Sequence, residues 1–304
     1  KFRRQNKSKN RKSVSKRNEG IKLSVMIIWL ASYPKSGNTF LRSLLTSYYF
    51  SKDGDFKFDL LKNIQQFPSS ELFEKININI NDKYEVAKNY IKTQELLNRS
   101  QTLKFLKTHS SFCKMFNKFN FSDLKNSLGV IYIVRDPRNV ITSFANHNSK
   151  TLDETFNLLI NDLATGNEKN DVEVYMGSWS FNFNSWKIYK NSNKYLLVKY
   201  EDLVFDTKKV FIDVIEFINK LSNLKTSINY QKINRAIETT SFNNMKSLET
   251  KYGFDEAKIN DLTGKKVKFF NLGPNNDWNK LLDKKFRNKI EQYFKKEMIE
   301  LGYI

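Results

Sequence analysis

The sequence predicts an α/β fold, a single domain with a central parallel sheet flanked by helices. Three observations predict it. Short runs rich in Ile, Val, Leu and aromatic residues, Met26–Ala31, Leu103–Lys107, Val130–Arg135 and Tyr195–Tyr200, have the length and composition of buried strands. Helical patterns lie between them, and strands that alternate with helices pair in parallel. The 304 residues include only ten Gly and four Pro, with no internal repeat and no Pro/Gly/Ser-rich linker, so one domain is expected.

Residues 1–25 carry ten basic side chains and one acid, with almost nothing apolar before Ile21, and are expected to be a disordered basic tail. Met26 stands where a compact fold could begin, which leaves open that this tail is upstream read-through. The domain is then expected over 26–304. Its first strand candidate leads into a loop and a stripe of Leu41, Leu44, Leu45 and Tyr48, which marks a helix. Residues 51–100, rich in Asn and Lys, read as a helical insertion over the sheet. In Thr207–Leu221, Val210, Phe211, Val214, Ile215, Ile218 and Leu221 fall on one helical face. From Trp278 to Tyr303, Phe286, Ile290, Phe294 and Met298 at four-residue steps predict one charged C-terminal helix.

Composition narrows function. Hydrophobic residues make up 39% of the chain and aromatics 14%, too much for a disordered polymer. The formal charge is +20, of which nine units sit in the tail and eleven in the globular part, so an acidic partner or substrate is expected. One cysteine, Cys113, excludes an intrachain disulfide, and two histidines, His109 and His147, provide no His/Cys metal cluster. The early apolar run Val25–Ala31 is far shorter than the roughly 20 residues that span a bilayer. No membrane span, no metal and a cytoplasmic location are expected.

The loop Ser32-Tyr33-Pro34-Lys35-Ser36-Gly37-Asn38-Thr39-Phe40 joins a strand to a helix. A glycine there lets backbone N–H groups converge on an anion, the helix N-terminus adds positive potential, and Ser36, Asn38 and Thr39 supply side-chain donors. It is not a Walker A loop, because the lysine precedes the glycine and the first glycine is absent. A second candidate follows the strand at 130–135: Asp136 caps a helix opened by Pro137, Arg135 sits at the carboxyl edge of the sheet, and Ser143 lies two turns on. A structural Arg–Asp pair is the plain alternative for this segment.

These motifs, taken in order, resemble those of the cytosolic-type sulfotransferases that use 3′-phosphoadenosine 5′-phosphosulfate (PAPS), whose fold is of the P-loop nucleoside-triphosphatase kind. Tyr33 to Phe40 is similar to that family's 5′-phosphosulfate loop, YPKSGTTW, and Arg135 to Ser143 to its 3′-phosphate segment. Lys107-Thr108-His109 matches K-T-H, Tyr200-Glu201-Asp202 matches Y-E-D, Thr240-Ser241-Phe242 matches an adenine-side T-S-F, and Gly273 with Asp277-Trp278 matches the late glycine and D-W. Three departures stand out. Asn38 and Phe40 replace Thr and Trp, and Asn271-Leu272 replaces the Arg-Lys that clasps the 3′-phosphate, with Lys265, Lys266 or Lys268 as candidates to compensate. The family's C-terminal dimerisation motif is not found, so the oligomeric state stays unread.

The resemblance implies a PAPS-dependent transferase. Lys35 would neutralise the departing nucleotide and His109 would take the acceptor's proton, as a histidine near its ordinary pKa can. Lys107 would act near the sulfate. Lys35 to Phe40, Arg135, Ser143, Tyr200, Thr240, Ser241, Phe242 and Gly273 would bind the donor. The acceptor would be a small molecule or carbohydrate with a hydroxyl or amine. His147 reads as a surface residue, Trp179, Trp186 and Phe181 as core, and Cys113 as no nucleophile. The rival readings are a P-loop kinase on a small alcohol, which would use Asp136 for magnesium, and a noncatalytic polyanion- or RNA-binding protein drawn by charge. No specific nucleic-acid partner is expected.

Overall fold

The computed structural model of the chain describes residues 26–166, 171–223, 226–260 and 263–304. The expected basic tail lies outside them. Five parallel strands form the central sheet: β1 (Ile27–Ser32), β2 (Gln65–Gln66), β3 (Lys104–Thr108), β4 (Ser127–Val134) and β5 (Tyr195–Lys199), in the spatial order β2-β3-β1-β4-β5. Every residue of β1 is buried, as a central parallel strand covered on both faces requires. Its alternation divides the core. Ile27, Trp29 and Ala31 face one layer, and Ile28 and Leu30 face the other.

The helices that matter for the site are α1 (Asn38–Phe50), α2 (Pro137–Asn148), α3 (Tyr200–Phe205), α4 (Thr207–Ser222), α5 (Tyr230–Thr239) and α6 (Phe242–Tyr252). Leu41, Leu44 and Leu45 of α1 and Phe211, Val214, Ile215 and Ile218 of α4 cover the Ile28 face, so the apolar stripes do bury as their spacing predicts. The Trp29 face is packed with aromatic rings. Trp29 meets Phe67, Phe121 and Trp186 at 5.5, 5.5 and 5.9 Å between centroids, and its indole N–H donates to Ser127 Oγ at 2.8 Å. Trp179 and Trp186 are core as expected, whereas Phe181 is only half-buried.

The sheet's register places the site. Ala31 lies opposite Thr108, Ser32 opposite Ile133, and Val134 opposite Lys199, so β1, β3, β4 and β5 end side by side at one carboxyl edge. Loops leaving that edge converge.

One expectation is corrected and another is extended. Residues 51–100 carry a 3-10 turn at Phe58–Asn63 and helices at Ser70–Glu74, Lys83–Lys88 and Tyr90–Asn98, and between them Gln65–Gln66 adds the edge strand β2 to Leu106 and Lys107, which the helical reading did not include. The C-terminal helix is three pieces, Trp278–Leu281, Lys284–Tyr293 and Lys295–Glu300. Leu282 turns extended and Asp283 starts a new helix by accepting from Phe286 N–H, yet Ile290, Phe294 and Met298 still bury fully. No helix among the described residues is long and apolar enough to cross a membrane.

Trp29 joins both the aromatic layer and the central strand. Trp29→Ala should lower unfolding free energy by about 3–5 kcal/mol, as large-to-small core changes of aromatic residues do. Urea denaturation checks it, and a loss below about 1 kcal/mol would mean the layer refills the space.

Candidate active site

Ser32 ends β1, and the chain turns through Tyr33 to Gly37 before α1 begins. Lys35 and Gly37 both have left-handed backbones, φ 63° and 99°, which strains the lysine but suits the glycine. A Cβ on Gly37 would strike the Tyr200 ring. That ring carries the Arg135 guanidinium 4.2 Å above its centre. Arg135, one residue past β4, donates from Nη1 to Lys35 O at 3.2 Å and from Nη2 to Gly273 O at 3.3 Å. Gly273 (φ 53°) is likewise hemmed in, since a side chain there would strike Phe242. One guanidinium thus ties the loop after β1, the start of α3 and the late Gly273 loop to each other.

Around this knot lies a cavity of about 850 Å³. The Lys35 ammonium sits 3.8 Å over the Phe269 ring on its wall. Burial pushes its pKa down to about 7; Glu256 opposes the shift, while Arg135 and Lys107 reinforce it. His109, just beyond β3, has Nδ1 2.9 Å from Ser32 O and 3.2 Å from Ser32 Oγ. A carbonyl can only accept, so Nδ1 carries the proton and Nε2 keeps its lone pair. Burial first, and Lys107 second, lower the His109 pKa to about 3, so the ring is neutral.

A buried charge cluster adjoins them. Glu256 Oε1 accepts from Arg42 at 2.8 Å and from Lys107 at 3.3 Å, and Oε2 accepts from Thr39 Oγ1 at 3.1 Å. Burial alone would raise the Glu256 pKa, but Arg42 and Lys107 hold it well below the usual carboxylate range.

Most of the expected residues meet here. Lys35, Gly37, Asn38, Thr39, Phe40, Lys107, His109, Arg135, Ser143, Tyr200, Thr240, Ser241, Phe242 and Gly273 all line the cavity. Ser36 does not: it is fully buried beneath the loop. Asn38 spends its amide N–H groups on Leu30 O and Ser32 Oγ, at 2.9 and 3.1 Å, and Thr240 gives its hydroxyl to Ala236 O at 2.7 Å. Their side chains therefore brace the wall. Lys265, Lys266 and Lys268 are exposed and off the wall, where Lys258 and Lys150 stand instead. Lys258 donates to Asn148 Oδ1 at 2.8 Å.

His147 is not a surface residue. It lines the cavity, its ring stands edge-on to Phe269 at 5.6 Å, and burial together with Lys35 drives its pKa far below the histidine range. Asp136 caps α2 and holds Arg138 at 2.6 Å, the plain Arg–Asp pair, and is not on the wall. Burial pushes the Cys113 thiol up to about 11, and it too lies off the wall, which leaves a nucleophile reading without support.

Four residues of the site had no sequence signal strong enough to single them out. Arg42 follows the loop by one helical turn, a spacing that could have drawn attention. Glu256, His147 and Lys258 arrive from other segments, and only folding brings them in.

A family model described as "Sulfotransferase domain" matches residues 27–302. The Rattus norvegicus protein "Sulfotransferase 1E1" is 24% identical over 276 residues, 88% of this chain and 82% of its own. "Sulfotransferase 2A1" of Macaca fascicularis is 23% identical over 276 residues, 90% of this chain and 84% of its own. Among solved structures, mouse sulfotransferase SULT7A1 complexed with PAP gives a TM-score of 0.57 at 22% identity, covering 90% of this chain and 85% of that one. Retinol dehydratase in a complex with retinol and PAP gives 0.57 at 15%, covering 90% and 81%. The two structures share the fold described above.

Both cavity histidines are neutral in the folded chain, while an unfolded histidine protonates near pH 6.5. Below that pH the unfolded state binds more protons, so stability falls as pH drops from 6.5 toward the folded values. The urea midpoint should decline from pH 6.5 to 5, above the carboxylate range, and His109→Gln should flatten the decline. An unchanged slope in the variant would contradict the buried, neutral ring.

Proposed function

Because the chain belongs to the sulfotransferase domain family, and so to the transferases, we propose that it moves a sulfuryl group from PAPS to a hydroxyl or amine of a small-molecule or carbohydrate acceptor. The observation that carries this reading is the joining of Lys35 and Arg135 through one hydrogen bond at a single cavity, with the lone pair of His109 nearby. The cavity's residues fit a bisphosphorylated nucleotide. Gly37 and Gly273 leave room where a Cβ would collide, and Arg135 Nε is buried with no hydrogen-bond partner among the described residues. Both similar structures are complexes with PAP, which supports the same donor.

The donor supplies an activated sulfuryl group whose bond to the 5′-phosphate oxygen breaks as the acceptor oxygen or nitrogen bonds to sulfur. The chain's part is positioning and charge. His109 Nε2 takes the proton that the acceptor loses, and Ser32 O fixes the ring's tautomer and angle through Nδ1. Lys35, whose ammonium stands over the Phe269 ring, meets the charge that grows on the departing phosphate oxygen. Arg135, stacked on Tyr200, and Ser143 on α2 serve the 3′-phosphate. Lys258, in place of the missing Arg-Lys pair, is the lysine within the late segment that reaches the wall. The proton leaves His109 for solvent after the products separate.

3′-Phosphoadenosine 5′-phosphate should raise the thermal midpoint of the purified protein, and ATP should raise it much less; equal shifts would defeat the donor assignment. Lys35→Met should cost about 10²–10³-fold in kcat, and His109→Gln about 10²–10⁴-fold, with each variant still folded. Removal of either group without loss of turnover would remove its role.

Lys35 also makes a proton test. With its pKa near 7 in the free protein it is mostly neutral at pH 8, and a bound phosphate restores its charge. Binding of 3′-phosphoadenosine 5′-phosphate at pH 8 should therefore take up roughly one proton by linkage. Calorimetry in buffers of different ionisation enthalpy measures this, and Lys35→Met should abolish it.

A further inference from the structure

Arg42 and Glu256, which form a cluster with Thr39 and Lys107, have no part in the mechanism. Arg42 and Lys107 expose only 7% and 8% of their side chains, and both lie close to the first turns of α1, where the helix already presents positive potential. Two cations buried there call for an anion. A carboxylate answers, reaching all three donors with its two oxygens. Glu256 and two of those donors, Thr39 and Lys107, line the cavity, while Arg42 does not, and the carboxylate joins Arg42 to the wall.

Glu256 is not built into a helix or a strand. It follows Gly253, which ends α6 at φ 76°, and Phe254, which is anchored in a small aromatic cluster with Phe56 and Phe270. The carboxylate is thus held at short reach from a fixed point, by side-chain bonds that another anion could take over.

Resting on the sulfuryl-transfer reading, which already puts Thr39 and Lys107 at the donor, we propose that Arg42 joins them in holding the transferable sulfonate and that Glu256 occupies this place from within the chain until the donor displaces it. A sulfonate has three terminal oxygens for these three donors, one more than the carboxylate. Arg42 then distinguishes PAPS from the product nucleotide, which has lost its sulfonate. When the product remains alone, Glu256 returns to Arg42 and Lys107.

Calorimetric titration of the full chain with PAPS and with 3′-phosphoadenosine 5′-phosphate tests this. Glu256→Gln should tighten PAPS by about tenfold through removal of the competing charge, and the sulfonate-free nucleotide by no more than about twofold. Arg42→Gln should weaken PAPS selectively. Inorganic sulfate, at ionic strength matched with chloride, should stabilise Glu256→Gln thermally more than wild type. In wild type, which needs no substitution to fold, carbodiimide labelling of Glu256 should rise when sulfate or PAPS is added. Equal affinities of wild type and Glu256→Gln for PAPS and sulfate, or labelling that does not rise, would make Glu256 a fixed counter-ion and overturn the proposal. Failure of the donor reading alone would look different: neither nucleotide would bind, while the sulfate effects would persist.

Discussion

Positive charges packed at one edge of a parallel sheet set the terms for the rest of the site. Lys35, Arg42, Lys107 and Arg135 converge there, beside the N-terminus of α1, and among the described residues that line the cavity Glu256 is the one acid. Like charges at such distances repel, and little water reaches them to screen it. Glu256 answers Arg42 and Lys107, and the other two cations are held by something weaker than a full counter-charge: Arg135 by two carbonyls and the Tyr200 face, Lys35 by the Phe269 face. Such a wall is under-compensated, which is why burial drives the Lys35 pKa down and why an anion of several charges suits the cavity better than a neutral ligand.

The fold was largely legible because its signals are local. Four of the five strands are short apolar runs, and the two faces of β1 alternate in a pattern that the sheet then buries. The strand that escaped notice, Gln65–Gln66, is two polar residues at an edge, whose pairing is decided by β3 and by no feature of its own. The broken C-terminal helix shows the limit from the other side. Its apolar spacing was right, and the bury of Ile290, Phe294 and Met298 follows it, but Asp283 competes for the backbone and restarts the helix.

The candidate site was legible where one segment carries both the backbone geometry and the cavity-lining side chain, as at Lys35 and Gly37. It was illegible where a side chain is spent on a neighbour. Asn38 and Thr240 look like ligand donors in the sequence, yet Leu30 O and Ala236 O take their hydrogen bonds. Glu256, His147 and Lys258 look like solvated residues in polar stretches, yet the segment after α6 and the end of α2 bring them to the wall. Phe269 and Phe270 explain part of that: their N–H groups donate to the Glu249 carboxylate at 2.7 and 3.0 Å, and so the segment after α6 is folded back onto α6 and over the cavity.

Burial acts on His109 and Lys35 in the same direction, and the consequences for proton transfer are opposite. A histidine kept neutral is already a base, so His109 stands ready before any ligand arrives, with Ser32 O holding its proton on the far nitrogen. A lysine pushed toward neutrality is not yet an electrostatic partner, and it becomes one when an anion beside it raises its pKa again. On the sulfuryl-transfer reading proposed above, the base would be set by the fold and the cation by the ligand. An acceptor that entered first would meet a base but only a partly charged Lys35, whereas an anionic donor that entered first would leave both groups in the state that transfer requires. That order would follow from one physical cause, the burial of both groups at the sheet's edge.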